Sequence, residues 1–262
     1  MSILVVKFGG HAMSDEHGNF ARAIQSAKNF GKQVVVVHGG GPQINKALDT
    51  AGITSTFMGG FRVTTPEIFA VVEKVLAHEV GPAVAAALVK NGIPAKAISG
   101  RDGILRARKQ TTLVDGSRAD LGLVGEVESA QSSSIQSILE SGEVPVISPI
   151  AQDSVNNSGL NVNADIAAAA IAGALDADEL IIMTDVAGIY REWPNKDSLI
   201  SHITAEELRM IKDEFAEGMA PKVKACLDAI TAGAQSVRII DGTQPESFLD
   251  SLMGKGGTKV SA

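Results

Sequence analysis

The chain has 262 residues and a hydrophobic fraction of 45%, enough for one large α/β domain or two modest lobes and too apolar for a disordered chain. Its formal net charge of -7 argues against a nucleic-acid backbone as partner, because that calls for a basic face, but leaves room for a small anionic substrate. Cys226 is the only cysteine, which excludes an intrachain disulfide and a cysteine-rich metal site. Its neighbours Val223 and Ile230 mark it as a packed core thiol. The longest apolar run, Ile166 to Leu175, is about half of what a membrane span needs, and no basic-then-apolar leader precedes the first strand. A soluble, cytoplasmic protein is expected.

Ile3 to Phe8 reads as a strand buried on both faces, ending in Lys7 and followed by Gly9-Gly10. In a period-two strand Lys7 shares a face with Ile3 and Val5, an awkward place for a charge unless it meets a ligand or snorkels out at the strand end. Ligands of open α/β sheets bind at the carboxyl ends of strands, which favours the first alternative. Phe20 to Phe30 is an amphipathic helix. Val34 to Val37 is a second buried strand, running into His38-Gly39-Gly40-Gly41 and then a helix that opens at Pro42. Strand, glycine loop and helix aim free backbone N–H groups at an anion. A tight turn with no ligand would account for one glycine better than for three.

Thr64 with Glu67 has capping-box spacing and Thr65-Pro66 also suits a helix start; either opens a helix to about Asn91. Arg62 lies just ahead, where a guanidinium can clamp a carboxylate, although taken alone it reads as a surface arginine. Pro94 to Ser99 is a short strand, residues 104 to 128 read as β-ribbon, Ile135 to Ser141 as a helix and Val144 to Ile150 as a further strand. Asn161, Asn163 and Asp165 alternate ahead of the helix Ile166 to Leu175. An extended approach would project all three toward one side, while local capping by Asn163 and Asp165 would leave Asn161 unexplained. Leu180 to Thr184 is a strand, Asp185 to Tyr190 a tight turn, and Tyr190 with Trp193 can flank a purine or simply pack. Thr204 to Phe215 is helical. Pro221 opens the next helix and puts Lys222 in its first turn, against the macrodipole, which makes it a functional suspect. Ser236 to Ile240 is the last core strand. The alternation fits an α/β protein with a mostly parallel sheet.

The sequence holds no G-x-x-x-x-G-K-[ST] and no G-x-G-x-x-G loop, and no serine is flanked by glycine on both sides as a hydrolase elbow requires. Two glycine loops, two lysines and a carboxylate remain, a kit for phosphoryl transfer. Lys7-Phe8-Gly9-Gly10, His38-Gly39-Gly40-Gly41, Gly60-Phe61-Arg62-Val63-Thr64, Asn161-Val162-Asn163-Ala164-Asp165, Thr184-Asp185-Val186-Ala187-Gly188 and Gly218-Met219-Ala220-Pro221-Lys222 occur in the order seen in acetylglutamate kinases, and the chain resembles that branch of the amino acid kinase family from Lys7 onward.

The resemblance implies an α/β fold, a three-layer αβα sandwich around a mostly parallel central sheet. Residues 1–173 would form the N-terminal lobe for acetylglutamate binding and dimerisation, and residues 174–262 the C-terminal lobe for ATP. It implies transfer of phosphate from ATP to the side-chain carboxylate of N-acetyl-L-glutamate in arginine biosynthesis, with Mg2+ held by ATP and water and no protein metal ligand. Lys7 and Lys222 would stabilise the transferring group from opposite sides, and Asp165 would hold both lysines. Gly9, Gly10 and Gly40 would donate N–H groups, while Gly40, Gly41, Arg62 and Asn161 would bind the acceptor. Asp185, Val186, Ala187, Gly188, Ile189 and Tyr190, with Glu214, Phe215 and Ala216, would surround the nucleotide. The chain departs from the commoner pattern at His11, at Gly60-Phe61 and at Thr243, where an arginine is usual. Arginine-inhibited hexameric relatives carry an extra N-terminal helix; its absence here predicts a homodimer insensitive to arginine. A same-fold kinase for another acidic acceptor, such as carrier-linked aminoadipate, and a non-catalytic amino-acid sensor are the alternatives.

Overall fold

The computed structural model describes residues 2–9, 18–113, 116–215, 219–244 and 246–262. Ser2–Phe8 (β1) and Lys32–His38 (β2) pair in parallel along their whole length, Ser2 against Lys32 through to Phe8 against His38. Between them Asn19–Asn29 (α1) buries Phe20, Ala23, Ile24 and Ala27, the stripe of a helix with one face on a sheet. Gly41–Ala51 (α2) follows and buries Ile44 and Leu48. Phe57–Met58 (β3) and Phe61–Arg62 (β4) form a hairpin whose linking residues, Gly59 and Gly60, have φ of 53° and 84°. Two positive φ angles in succession are what a tight type I′ turn demands, hence two glycines.

Pro66–Glu73 (α3) is capped by Thr65, whose hydroxyl accepts from the Ile68 N–H at 3.2 Å; Thr64 does something else, described below. The helix continues through a π-helical stretch, Lys74–Val80, into Gly81–Lys90 (α4). Pro82 explains the wide turn. It has no N–H to give and its ring crowds the carbonyl four residues back, so the rod widens and Gly81 N–H reaches the Leu76 carbonyl, five residues back.

The remaining elements are Ala95–Ser99 (β5), Leu105–Lys109 (β6), Gly125–Ala130 (β7), Ser133–Glu140 (α5), Val144–Ser148 (β8), Ile150–Asp153 (β9), Gly159–Asn161 (β10), Ala164–Ala174 (α6), Glu179–Thr184 (β11), Ile189–Tyr190 (β12), Leu199–Ile200 (β13), His202–Thr204 (β14), Ala205–Ile211 (α7), Ala220–Ala232 (α8), Ser236–Asp241 (β15), Ser247–Leu252 (α9) and Thr258–Ser261 (β16). The run Val144 to Ile150, expected as one strand, divides at Pro149: β8 stays in the main sheet and β9 joins a second one, ordered β10-β9-β6-β7. The main sheet has the order β14-β16-β15-β11-β1-β2-β8-β5. From β15 to β5 neighbours are parallel; β16 runs antiparallel to β15.

Period-two alternation sorts the strand residues into two cores. Val5, Val35, Val37, Ile182 and Ile239 meet α5, α6, α7 and α8 on one face. Leu4, Val6, Val34, Val36 and Ile181 meet α1, α3, α4 and α9 on the other. Both faces are covered, which is why the strands read as unbroken apolar runs. This is the three-layer αβα sandwich. Cys226 of α8 is wholly buried, and burial pushes its thiol far above the usual range, so it packs and does not react. Among the described residues no helix is long and apolar enough to cross a membrane.

β1 is the switch point of this sheet. The chain leaves it for β2, β5 and β8 on one side and returns through α6 to β11 on the other. The carboxyl ends of β1, β2 and β11 therefore border one crevice, where ligands of such sheets bind.

Candidate active site

Lys7 lies on the face of β1 that meets α6. A lysine ammonium cannot be enclosed alone, and it finds the Asp165 carboxylate in the first turn of α6, Nζ to Oδ1 3.0 Å, with the Met183 carbonyl at 3.4 Å. The two side chains are 14% and 18% exposed, so the pair is desolvated on its inner side and reachable from the crevice. Among the described residues Oδ1 has no hydrogen-bond donor beyond this ion pair, and the helix N-terminus favours its negative charge. Asn163 is the N-cap of α6, its Oδ1 accepting from Asp165 N–H at 2.8 Å and Ile166 N–H at 3.4 Å. The alternating Asn161, Asn163 and Asp165 thus have three different jobs.

The two glycine loops touch. Gly39 N–H donates to the Phe8 carbonyl at 2.7 Å, and a Cβ on Gly9 would stand 3.2 Å from Lys7 Cε, 3.3 Å from its Nζ and 3.4 Å from Gly39 N. A side chain at Gly9 would thus crowd the Lys7 ammonium and displace it by a few tenths of an ångström. In the second loop the first helical bond runs from Ile44 N–H to the Gly40 carbonyl, so the N–H groups of the first turn of α2 precede any intrahelical acceptor. Gly41 is exposed. Gly40 is buried, and a Cβ there would meet Leu76 Cδ2 at 2.5 Å, so this glycine is also a packing requirement. His38 is fully buried at the end of β2, and burial pushes its imidazole down to about 4, opposed by a hydrogen bond to the Gly39 carbonyl.

Arg62, a surface arginine by its local sequence, is in fact buried. Its Nη1 donates to Ser55 Oγ at 2.5 Å and its Nη2 to Asn45 Oδ1 at 2.6 Å, and the guanidinium lies 4.6 Å from the centre of the Phe57 ring. No carboxylate among the described residues pairs with it, and burial lowers its pKa. Asn45 sits one turn into α2, which fixes Arg62 relative to the glycine loop. Thr64 Oγ1 donates to the Arg62 carbonyl at 2.7 Å and accepts from Asn161 Nδ2 at 3.2 Å, tying β4 to β10. Thr64, Asn45 and Ser55 escaped the sequence reading; Thr64 carried a signal, but it pointed to a helix cap. Phe61 packs with Leu121, Val124 and Ile166, the residue after Asp165.

On the other side of the crevice, Asp185 follows β11 and accepts from Thr184 Oγ1 at 3.0 Å. Val186 and Ala187 rest partly buried on the core, while Ile189 and Tyr190 form β12. A Cβ on Gly188 would stand 2.4 Å from Thr258 Oγ1, and that buried hydroxyl accepts from Ile189 N–H at 2.8 Å and donates to the Ile200 carbonyl at 2.5 Å. Thr258 is thus the clasp of the β12–β13 hairpin. Tyr190 is buried and meets the half-exposed Trp193 edge-on at 5.2 Å. Glu214 is exposed at the end of a 3-10 turn and Phe215 is partly buried. Thr243 folds back on Asp241, whose Oδ1 accepts from its N–H at 2.9 Å and its hydroxyl at 2.6 Å. Gly10 and Ala216 lie outside the described residues, as do His11, Glu217 and Gly218.

Lys222 stands in the first turn of α8, partly buried, without an ion-pair partner among the described residues; Asp165 holds Lys7 alone. α6 and α8 touch near their C-termini, where a Cβ on Gly173 would reach within 2.3 Å of Ala232 Cβ. At 1.5 Å rise per residue, Asp165 and Lys222 lie about 12 and 15 Å up their helices from that contact. Asp165 also lies near enough to Cys226 to raise its thiol pKa. Both N-termini therefore face the same end of the molecule.

Cations, helix N-termini and glycine N–H groups thus gather at the switch point of a parallel sheet, an arrangement suited to holding a small anion. Residues 2–241 match the model of the amino acid kinase family, and the chain belongs to that family. The acetylglutamate kinase of Paenarthrobacter aurescens (strain TC1) is 48% identical over 258 residues, covering 94% of this chain and 82% of that protein. That of Leifsonia xyli subsp. xyli is 46% identical over 260 residues, 97% of this chain and 86% of that protein. Among solved structures, smu.665 from Streptococcus mutans UA159 superimposes with a TM-score of 0.82 at 28% identity, over 99% of this chain and 98% of that one. Carbamate kinase from Giardia lamblia bound to AMP-PNP, at 19% identity and a TM-score of 0.70 over 99% of this chain and 98% of that one, shares the fold.

Proposed function

We propose that this chain is an acetylglutamate kinase, which transfers the terminal phosphoryl group of ATP to the side-chain carboxylate of N-acetyl-L-glutamate. The products are N-acetyl-L-glutamyl 5-phosphate and ADP, and the step serves arginine biosynthesis. The observation that carries the reading is the crevice-facing Lys7–Asp165 pair beside two abutting glycine loops, with the buried Arg62 fork held to the same helix as one of them. A carboxylate acceptor is already ionised at neutral pH, so attack on phosphorus needs no general base. It needs alignment of two anions and neutralisation of the charge they build up, which is what ammonium and N–H groups supply.

In this mechanism Lys7 and Lys222 flank the transferring group, and Asp165 keeps Lys7 on target and gains Lys222 as the lobes close. Gly9, Gly10 and Gly40 direct N–H groups at phosphate and acceptor oxygens. Gly40, Gly41, Arg62 and Asn161 hold the acceptor, with Arg62 on its α-carboxylate. Asp185, Val186, Ala187, Gly188, Ile189 and Tyr190, together with Glu214, Phe215 and Ala216, enclose adenine and ribose. ATP enters as its magnesium complex, the ion held by phosphate oxygens and water. Residues 1–173 form the acceptor lobe and residues 174–262 the nucleotide lobe of a cytoplasmic homodimer.

The test is ADP release with MgATP on N-acetyl-L-glutamate, free glutamate and aspartate, with hydroxylamine to trap an acyl phosphate. Turnover and hydroxamate confined to N-acetyl-L-glutamate are the expected result; turnover without hydroxamate, or none with that acceptor, overturns the reading. Light scattering after size exclusion should give twice the chain mass; any other mass overturns the dimer.

A further inference from the structure

Among the described residues, His38 is the one buried imidazole beside the site that the mechanism above does not use. It ends β2 on the face that meets the long helix of α3, the π-helical stretch and α4, and its side chain is sealed from solvent. Its Nδ1 lies 2.7 Å from the carbonyl of the next residue, Gly39. A carbonyl only accepts, so Nδ1 carries the proton, and in the neutral ring Nε2 is then a bare lone pair. Nε2 is buried without a hydrogen-bond partner among the described residues. It faces Gly81, where a Cβ would stand 3.0 Å away. The wide turn before Gly81 and Pro82, and the missing Cβ at 81, make the room in which the ring sits.

The Gly39–Gly40 peptide is trans, so its N–H points opposite to its C=O. Holding the Gly39 carbonyl inward on His38 turns the Gly40 N–H away from the helix layer. The preceding peptide is fixed in the same way by Gly39 N–H on the Phe8 carbonyl at 2.7 Å. A hydrogen bond to a carbonyl also polarises its amide and strengthens the N–H as a donor. We propose that His38 is a positioning residue for phosphoryl transfer, its Nδ1-protonated ring setting the Gly39–Gly40 peptide so that the Gly40 N–H is aimed at the oxygens of the transferring group. The ring touches no reacting atom and moves no proton. The inference rests on the phosphotransferase reading above.

Two variants and one spectrum test it. His38→Leu fills the space without a donor, and His38→Asn returns an N–H near the position of Nδ1. A misdirected amide in such a site costs about 10- to 100-fold in kcat. His38→Leu should show that loss with KM for both substrates within about twofold, and His38→Asn should recover most of it. In 15N-edited NMR at pH 7 the His38 ring of the unsubstituted protein should show a protonated Nδ1 and a bare Nε2, and the Gly40 amide resonance should move in His38→Leu and return in His38→Asn. A protonated Nε2, undiminished turnover in His38→Leu, or an Asn variant as impaired as the Leu variant overturns the inference. If the unsubstituted protein transfers no phosphate, the functional reading fails instead, and the ring tautomer with the Gly40 resonance still decides whether His38 sets the loop. The spectrum of the unsubstituted protein also decides if His38→Leu does not fold.

Discussion

Replacing Arg62 by glutamine should separate function from stability, and the structure says by how much. A guanidinium has five N–H donors, and Arg62 spends two, on Ser55 Oγ and Asn45 Oδ1. Three remain, aimed by neutral partners that fix the plane of the fork without neutralising it. Because no carboxylate among the described residues compensates it, the desolvation of this cation is borne by the fold, and burial lowers its pKa accordingly. A substrate carboxylate arriving there gains two charge-assisted hydrogen bonds, each about 1.5–3 kcal/mol, or about 3–6 kcal/mol together. Arg62→Gln should therefore reduce kcat/KM for N-acetyl-L-glutamate by about 10²- to 10⁴-fold, mostly through KM. The fold should lose little, since two ordinary hydrogen bonds disappear along with an uncompensated charge. Arg62→Lys keeps the charge but not the fork and should recover no more than about tenfold. Initial rates at saturating MgATP, with melting curves in the presence and absence of acceptor, measure both halves. An acceptor KM within about threefold of the parent would refute the clamp. A melting temperature lowered by more than about 8 °C would refute the claim that Arg62 is a cost to the empty protein.

Three further outcomes follow from the same geometry. Asp165→Asn leaves the Lys7 ammonium with only the distant Met183 carbonyl, so kcat should fall about 10²- to 10³-fold with little change in either KM; a pure KM effect would remove Asp165 from the alignment of Lys7. Thr258→Val preserves shape but orphans Ile189 N–H and the Ile200 carbonyl, costing about 1–3 kcal/mol. Its melting temperature should drop by several degrees and its KM for ATP should rise; a change confined to the acceptor would place the hairpin away from the nucleotide. His38 gives a pH dependence. Burial holds its imidazole down to about 4 against an ordinary 6.5, so between those values the unfolded chain takes up a proton that the folded chain refuses. Its contribution is intact above pH 6.5 and is lost as pH falls toward 4, up to about 3 kcal/mol. Urea unfolding across that window should be steeper in pH for the parent than for His38→Asn, and equal slopes would contradict the buried neutral ring.

How much of this the chain declares in advance depends on whether a feature is periodic or contingent. Strands β1, β2 and β11 are legible because a strand covered on both faces must be apolar throughout, and Lys7 stands out for breaking that rule at a strand end. Pro149 breaks the run Val144 to Ile150, yet nothing in that run says that the second half joins another sheet. Thr258 is invisible for a related reason: its partner Ile189 lies 69 residues away, and a threonine after glycines reads locally as a turn. Asn161, Asn163 and Asp165 show the limit of period-two reasoning, because β10 ends before α6 begins and the alternation has no common strand to act through. Arg62 is the sharpest case. By sequence it is an arginine beside a glycine turn, which favours the surface; in the fold, Asn45 and Ser55 arrive from the preceding helix and loop and Phe57 covers its face. None of the three carries a charge that would satisfy it. Among the described residues no group neutralises this oriented cation, an arrangement that packing alone does not require and that the proposed carboxylate clamp does.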